Sequence, residues 1–280
     1  MIDLHTHSTA SDGQYSPAEL MQLAKENGVT VTALTDHDTV SGVEEAQSEA
    51  KRIGLKFFPG IEISTDSEFG SMHILGYNID PKNAKLSETC KWFVEQRRER
   101  AEKIFSFLEE RGVPLTRESV EKYSNGGLLV RPHFARAMVD AGYVQTTREA
   151  FDKHLDVPEF KKIKREKLTP EKSLELILGA GGIPVLAHPV QIKTDIDSLA
   201  KLVKRLSGIG LMGMECYYST HKPDQTEEYL KIAKANGLYV TAGSDFHGEK
   251  IKPDIKLGTG INNSLCIEKL EIIDLLEKRK

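Results

Sequence analysis

Short apolar runs alternate with amphipathic stretches along most of the chain. The strand-like runs are Ile2–His7, Val29–Thr35, Lys56–Ser64, His73–Tyr77, Ile183–His188, Leu211–Tyr217 and Tyr239–Ala242. Between them, amphipathic segments predict helices over Pro17–Asn27, Val43–Ile53, Pro170–Gly179, Ile196–Leu206 and Asp224–Asn236. Ser16 precedes Pro17, with Glu19 three residues after it, which reads as an N-cap with proline at the first helical position. Thr169-Pro170 repeats the device, and Gly28, Gly54 and Gly237 stand where left-handed caps end helices. Strand–helix alternation of this kind implies a mostly parallel sheet or a barrel.

The middle of the chain breaks the alternation. From Pro81 to about Leu168 there is no convincing strand. Ser87–Arg111 reads as one long charged helix, and shorter helices are expected near Thr116–Lys122, Pro132–Ala141 and Thr146–His154. The expected organisation is an α/β body of residues 1–80 and 169–280 carrying a helical insertion of residues 81–168.

Composition narrows the class. The chain has 280 residues, 39% hydrophobic and 29% charged, as in an ordinary soluble globular protein able to bury a large core. No apolar stretch approaches a membrane span, and no signal peptide is evident. Cys90, Cys216 and Cys266 are scattered and odd in number, which fits a reducing cytoplasm. The net charge of -4 argues against a coat of phosphate-binding cations. Lys85 to Lys167 nevertheless holds 18 basic and 14 acidic side chains, a local +4 that leaves -8 for the remainder. An acidic body with a mildly basic middle suits metal binding beside an anionic substrate.

Candidate chemistry gathers at the ends of the strand-like runs. The first ends in His5 and His7, with Asp12 just beyond; alternation sets Ile2 and Leu4 on the other face. The "LTDHD" run carries His37, "PGIEIS" carries Glu62, His73 opens the fourth run, "VLAHP" carries His188, and "TAGSDFH" carries Asp245 and His247. Active-site groups of α/β barrels collect at the C-terminal ends of strands, and His73, at the start of its run, departs from that rule. One such histidine is ordinarily a satisfied core or surface group. Six, with three matched carboxylates, would leave many lone pairs and charges uncompensated without a metal. Imidazole and carboxylate without thiolate suit zinc, manganese or iron, and nine ligands exceed the needs of one ion. Gly13 is expected to let the loop after His7 turn tightly.

"HTHS…SDG", "TDHD", "PGIE", His73, "AHP" and "GSDFH", in this order, resemble the polymerase-and-histidinol-phosphatase (PHP) family of metallophosphoesterases over nearly the whole chain. The resemblance implies a distorted (β/α)7 barrel with two or three divalent ions (Mn, Zn or Fe). It implies that His5, His7, Glu62 and Asp245 hold one ion, and Asp12, His37 and His247 a second. Glu62, His73 and His188 would hold a third, with Glu62 bridging. Clustered divalent ions lower the pKa of a bridging water and neutralise charge growing on phosphoryl oxygens, so phosphoester hydrolysis needs no activated serine or cysteine.

Within the family the chain resembles the stand-alone branch of nucleoside 3',5'-bisphosphate phosphatases and 5'-to-3' exoribonucleases. "LLVRPHFARAM" carries Arg131 and His133, and "ECYYSTHKPDQ" carries Ser219 and His221. These four are the expected substrate contacts, with Arg131 gripping a phosphate bidentately and the insertion acting as a lid. The basic runs Arg97–Arg100 and Lys161–Lys167 either guide a nucleic-acid strand or are solvated helix faces and a hinge. A small nucleotide or short RNA is the expected substrate; no protein partner can be inferred. Histidinol phosphate phosphatase, cyclic-phosphate phosphodiesterase and a metal-binding regulatory module are the alternatives. The long insertion argues against the first, and the complete ligand set against the last.

Overall fold

The computed structural model describes residues 1–124 and 129–279; Leu128, the first residue of "LLVRPHFARAM", lies outside the described residues. Seven strands form one sheet in chain order: β1 (Ile2–Asp3), β2 (Val31–Leu34), β3 (Lys56–Thr65), β4 (Met72–Tyr77), β5 (Ile183–Leu186), β6 (Gly213–Tyr218) and β7 (Tyr239–Gly243). Each predicted strand is present, although β1 is shorter than its apolar run. Beyond Asp3 the backbone continues the seam with the last strand. Leu4 N–H donates to Ala242 O at 3.0 Å, Asp245 N–H to His5 O at 2.9 Å, and His7 N–H to Phe246 O at 3.0 Å. The sheet thereby closes on itself as a distorted seven-stranded barrel.

All neighbouring pairs are parallel except β3–β4 and β4–β5, so β4 alone runs against its neighbours. That reversal explains His73. The start of an antiparallel strand lies beside the C-terminal ends of the parallel ones, so His73 obeys the geometric rule that its sequence position breaks.

The helices around the barrel follow the expected segments: α1 (Pro17–Glu26), α2 (Val43–Ile53), and, later in the chain, Pro170–Gly179, Ile196–Ser207 and Pro223–Ala235. The expected capping box forms on α1, where Glu19 N–H donates to Ser16 Oγ at 3.2 Å and Ser16 N–H to Glu19 Oε2 at 2.8 Å. Leu20, Met21, Ala24 and Ala46 bury one face of α1 and α2 against Leu34 and Phe57 of the sheet. Inside the barrel, Ile2, Leu4, Phe58, Leu75, Tyr77 and Val185 pack together. A final helix, Ile272–Lys278, adds Ile272 and Leu276 to this core and has no counterpart in the sequence expectations.

The chain divides into two compact units, Met1–Cys90 with Lys167–Lys280, and Lys91–Glu166. The second begins later than the insertion expected from Pro81, because the long helix Ala84–Glu110 starts as part of the barrel unit. The helical unit has its own core, built from Ile104, Leu108, Phe134, Met138, Leu155 and Phe160. No strand occurs among its described residues.

Candidate metal centre

His5, His7, Asp12, His37, Glu62, His73, His188, Asp245 and His247 meet at one end of the barrel. Glu62 lies at the middle. Its Oε1 is 2.7 Å from His73 Nδ1 and 2.8 Å from His188 Nε2. Its Oε2 is 2.9 Å from His37 Nδ1 and 3.3 Å from both His5 Nε2 and His7 Nε2. Asp245 Oδ1 is 3.2 Å from His7 Nε2 and 3.7 Å from His5 Nε2. Asp12 Oδ1 is 3.3 Å from His247 Nε2, and His7 stacks on His247 with centroids 4.0 Å apart.

Three groups have ligand atoms close enough to share an ion: His5 with His7, Glu62 and Asp245; His7 with Asp12, His37 and His247; and His37 with Glu62 and His73. The first coincides with a set expected from the sequence. The second adds His7 to the expected one. The third holds His37 where His188 was expected, while His188 stays within reach through Glu62 Oε1.

The donors fit divalent ions. His5 Nε2, both ring nitrogens of His7 and Glu62 Oε2 are buried, with no hydrogen-bond partner among the described residues. Buried polar atoms are rarely left so, and here their lone pairs converge. Electrostatics agree. Burial lowers His7 and His73 to about 4, so both are neutral near pH 7. Burial would raise Glu62, yet His37, His5 and His73 around it hold its carboxyl well below the ordinary value. Asp245 is likewise held low against burial, chiefly by Lys252. Asp12, His37 and His73 keep 23%, 15% and 15% side-chain exposure, whereas His5, His7 and Glu62 have none. The centre therefore opens on the Asp12, His37 and His73 side.

Residues with no such assignment from sequence brace these ligands. Asp36, within "LTDHD", accepts from Ser8 N–H at 2.8 Å, Ser8 Oγ at 2.7 Å and Ser11 Oγ at 2.6 Å, pinning the loop that carries Asp12. Burial pushes Asp36 up to about 6. Asp245 Oδ2 accepts from Tyr218 Oη at 2.8 Å and Lys252 Nζ at 2.7 Å, which turns Oδ1 toward the histidines. Glu215 touches both His5 and the backbone of His188. None was legible as functional, because an acid or a tyrosine on a strand has no signature until its partners are known. Gly13 lets the loop turn tightly as expected: its N–H donates to Ser8 O at 2.8 Å, and a Cβ there would lie 2.3 Å from His7 O, so the close approach, not a left-handed backbone, requires glycine.

The expected substrate residues are placed as follows. Ser219 is buried and donates to Ser244 O at 2.7 Å. His221 Nδ1 donates to Cys216 O at 2.9 Å, and its ring packs against Tyr218, which in turn packs on His188. Arg131 and His133 lie in the helical unit, on the helix Arg131–Asp140. There Arg131 pairs with Asp156 at 2.8 Å and lies over Phe151, while His133 Nδ1 accepts from Val130 N–H at 3.3 Å. Arg100 joins the two basic runs, donating to Ile163 O at 3.0 Å and covering Phe160.

The model of the PHP domain matches residues 3–249. The chain belongs to the PHP domain family. A 5'-3' exoribonuclease of Haemophilus influenzae is 36% identical over 245 residues, 88% of this chain and 89% of its own. A 3',5'-nucleoside bisphosphate phosphatase of Chromobacterium violaceum is 34% identical over 247 residues, 88% and 87% of the two chains. The solved structure of an amidohydrolase from C. violaceum, with bound sulfate and no metal, matches at a TM-score of 0.83 and 31% identity, covering 99% of this chain and 96% of that one. The branch of the PHP family expected from the sequence is the one these relatives represent.

Proposed function

We propose that this PHP-domain chain hydrolyses phosphate esters of small nucleotides, such as nucleoside 3',5'-bisphosphates, or of the 5' end of short oligoribonucleotides. The chain is a metal-dependent phosphoesterase. The observation that carries the substrate reading is the cluster of nine imidazoles and carboxylates centred on Glu62, in a chain whose relatives are named for nucleotide and RNA substrates.

Two or three divalent ions, of Mn, Zn or Fe type, suit a donor set of nitrogen and oxygen without sulfur. When bound, such ions neutralise phosphoryl oxygens and lower the pKa of bound water. His5, His7, Glu62 and Asp245 would hold one, Asp12, His37 and His247 another, and Glu62, His73 and His188 a third. The chain's buried thiols do not compete as nucleophiles: burial pushes Cys90 up to about 12, and Cys216 upward as well. Arg131, His133, Ser219 and His221 are the proposed phosphate-contacting groups.

The test compares kcat/KM for 3',5'-bisphosphonucleotides, 5'-phosphorylated oligoribonucleotides, cyclic phosphates and histidinol phosphate on metal-loaded protein. The two nucleotide classes should lead, a chelator should abolish turnover, and manganese or zinc should restore it. Preference for histidinol phosphate or a cyclic phosphate would overturn the reading.

A further inference from the structure

Glu215 stands in β6, fully buried, and belongs to none of the three groups of candidate ligands. Both of its oxygens are committed. Oε1 accepts from His5 Nδ1 at 2.9 Å, and Oε2 accepts from the backbone N–H of His188 at 2.7 Å. These partners are neighbouring rings, stacked with centroids 5.6 Å apart, that reach different oxygens of Glu62. Through Nε2, His5 faces Glu62 Oε2 and Asp245, whereas His188 faces Glu62 Oε1. His188 also holds a φ of 21°, a region that residues with a side chain rarely adopt, so its backbone needs a fixed anchor. The barrel makes room for the carboxylate, since a Cβ on Gly243 would lie 2.6 Å from Glu215 Oε1.

We propose that Glu215 is a positioning residue that couples two metal positions. An acceptor at Nδ1 fixes His5 in the tautomer whose Nε2 lone pair is available to an ion. The second oxygen holds the His188 turn so that its ring reaches the other oxygen of Glu62. A single rigid carboxylate thus sets the ligands of two ions together, and disturbing it loosens both. This inference rests on reading the centre as a metal site.

Glu215→Gln tests it. Glutamine has the same shape but one acceptor oxygen, so its amide NH2 must face one of the two donors. A space-filling role predicts a normal variant; the positioning role does not. Full-length wild type, Glu215→Gln and Glu215→Ala are dialysed against Mn2+ and analysed for metal, with melting of the metal-free proteins as the check on folding. Both variants should keep the ion at Asp12, His37 and His247 and bind the remainder about 10–100-fold more weakly. Wild-type stoichiometry and affinity in Glu215→Gln would overturn the coupling alone. A wild type that takes up no ion would overturn the metal reading and the coupling with it. A measurement on wild type serves even if the variants fail to fold: imidazole 15N spectra of the zinc-loaded protein should show His5 protonated at Nδ1 and metallated at Nε2. Metal on Nδ1 would contradict the proposal.

Discussion

His5 shows how one side chain links charge to metal uptake. Burial disfavours its protonated form, but Glu215 and Glu62 outweigh burial and hold it well above the ordinary value. An arriving ion therefore competes with a proton for His5. His7 and His73, lowered to about 4, carry none at pH 7. Metal loading near neutral pH should therefore release protons. Titration calorimetry in buffers of different ionisation enthalpy reads this directly, and a heat independent of buffer would contradict it. As pH falls toward about 4, His7 and His73 begin to hold protons too, so affinity should drop more steeply there.

Two elements carry separable predictions. Where β7 meets the chain beyond β1, a Cβ on Gly243 would lie 2.1 Å from His5 Cβ and 2.9 Å from His5 N. Neither atom can swing away as a side-chain tip could. Gly243→Ala should cost about 1–3 kcal/mol of stability and reduce bound metal, checked by denaturant melts and elemental analysis. An alanine variant with ordinary stability and metal content would mean that the seam yields more easily than its packing implies. The helix Arg131–Asp140 gives the opposite pattern. The pair of Arg131 with Asp156 is largely exposed and worth about 0–1 kcal/mol. Arg131→Ala should hardly change the melting temperature or metal content. If the guanidinium contacts substrate phosphate, kcat/KM should fall by roughly one to two orders of magnitude, and lysine should recover only part. Unchanged kcat/KM in a folded variant would remove Arg131 from the substrate site.

The barrel unit has its chemistry at one end and part of its core in a helix that follows the last strand. Leu276 is fully buried in the core shared with Ile2, Phe58 and Tyr77, and its carbonyl accepts from Asn78 Nδ2 at 2.6 Å. Leu276→Ala should cost about 2–5 kcal/mol through lost burial and a cavity. Folded protein should still bind its ions and keep its kcat, because no ligand is touched. Parallel measurement of melting temperature, metal content and turnover separates stability from chemistry; a large loss of kcat at full metal content would show that the terminal helix reaches the active end after all.

The order of strands and helices, the caps at Ser16 and Thr169, and all nine residues of the cluster centred on Glu62 were legible in the sequence. Periodicity and capping are short-range properties, and repeated histidines and acids at strand ends have few other physical explanations. The direction of β4 was not legible, and it alone explains why His73 opens its strand yet reaches the cluster. Nor could spacing distinguish Asp36, which pins a loop, from Asp12, which faces His247, or give Glu215 any function. The C-terminal helix was missed because a short amphipathic tail looks the same whether or not a barrel needs its apolar face. A carboxylate's role depends on which donors surround it, and Glu215 and its donor His5 lie 210 residues apart along the chain. Barrel closure brings them together.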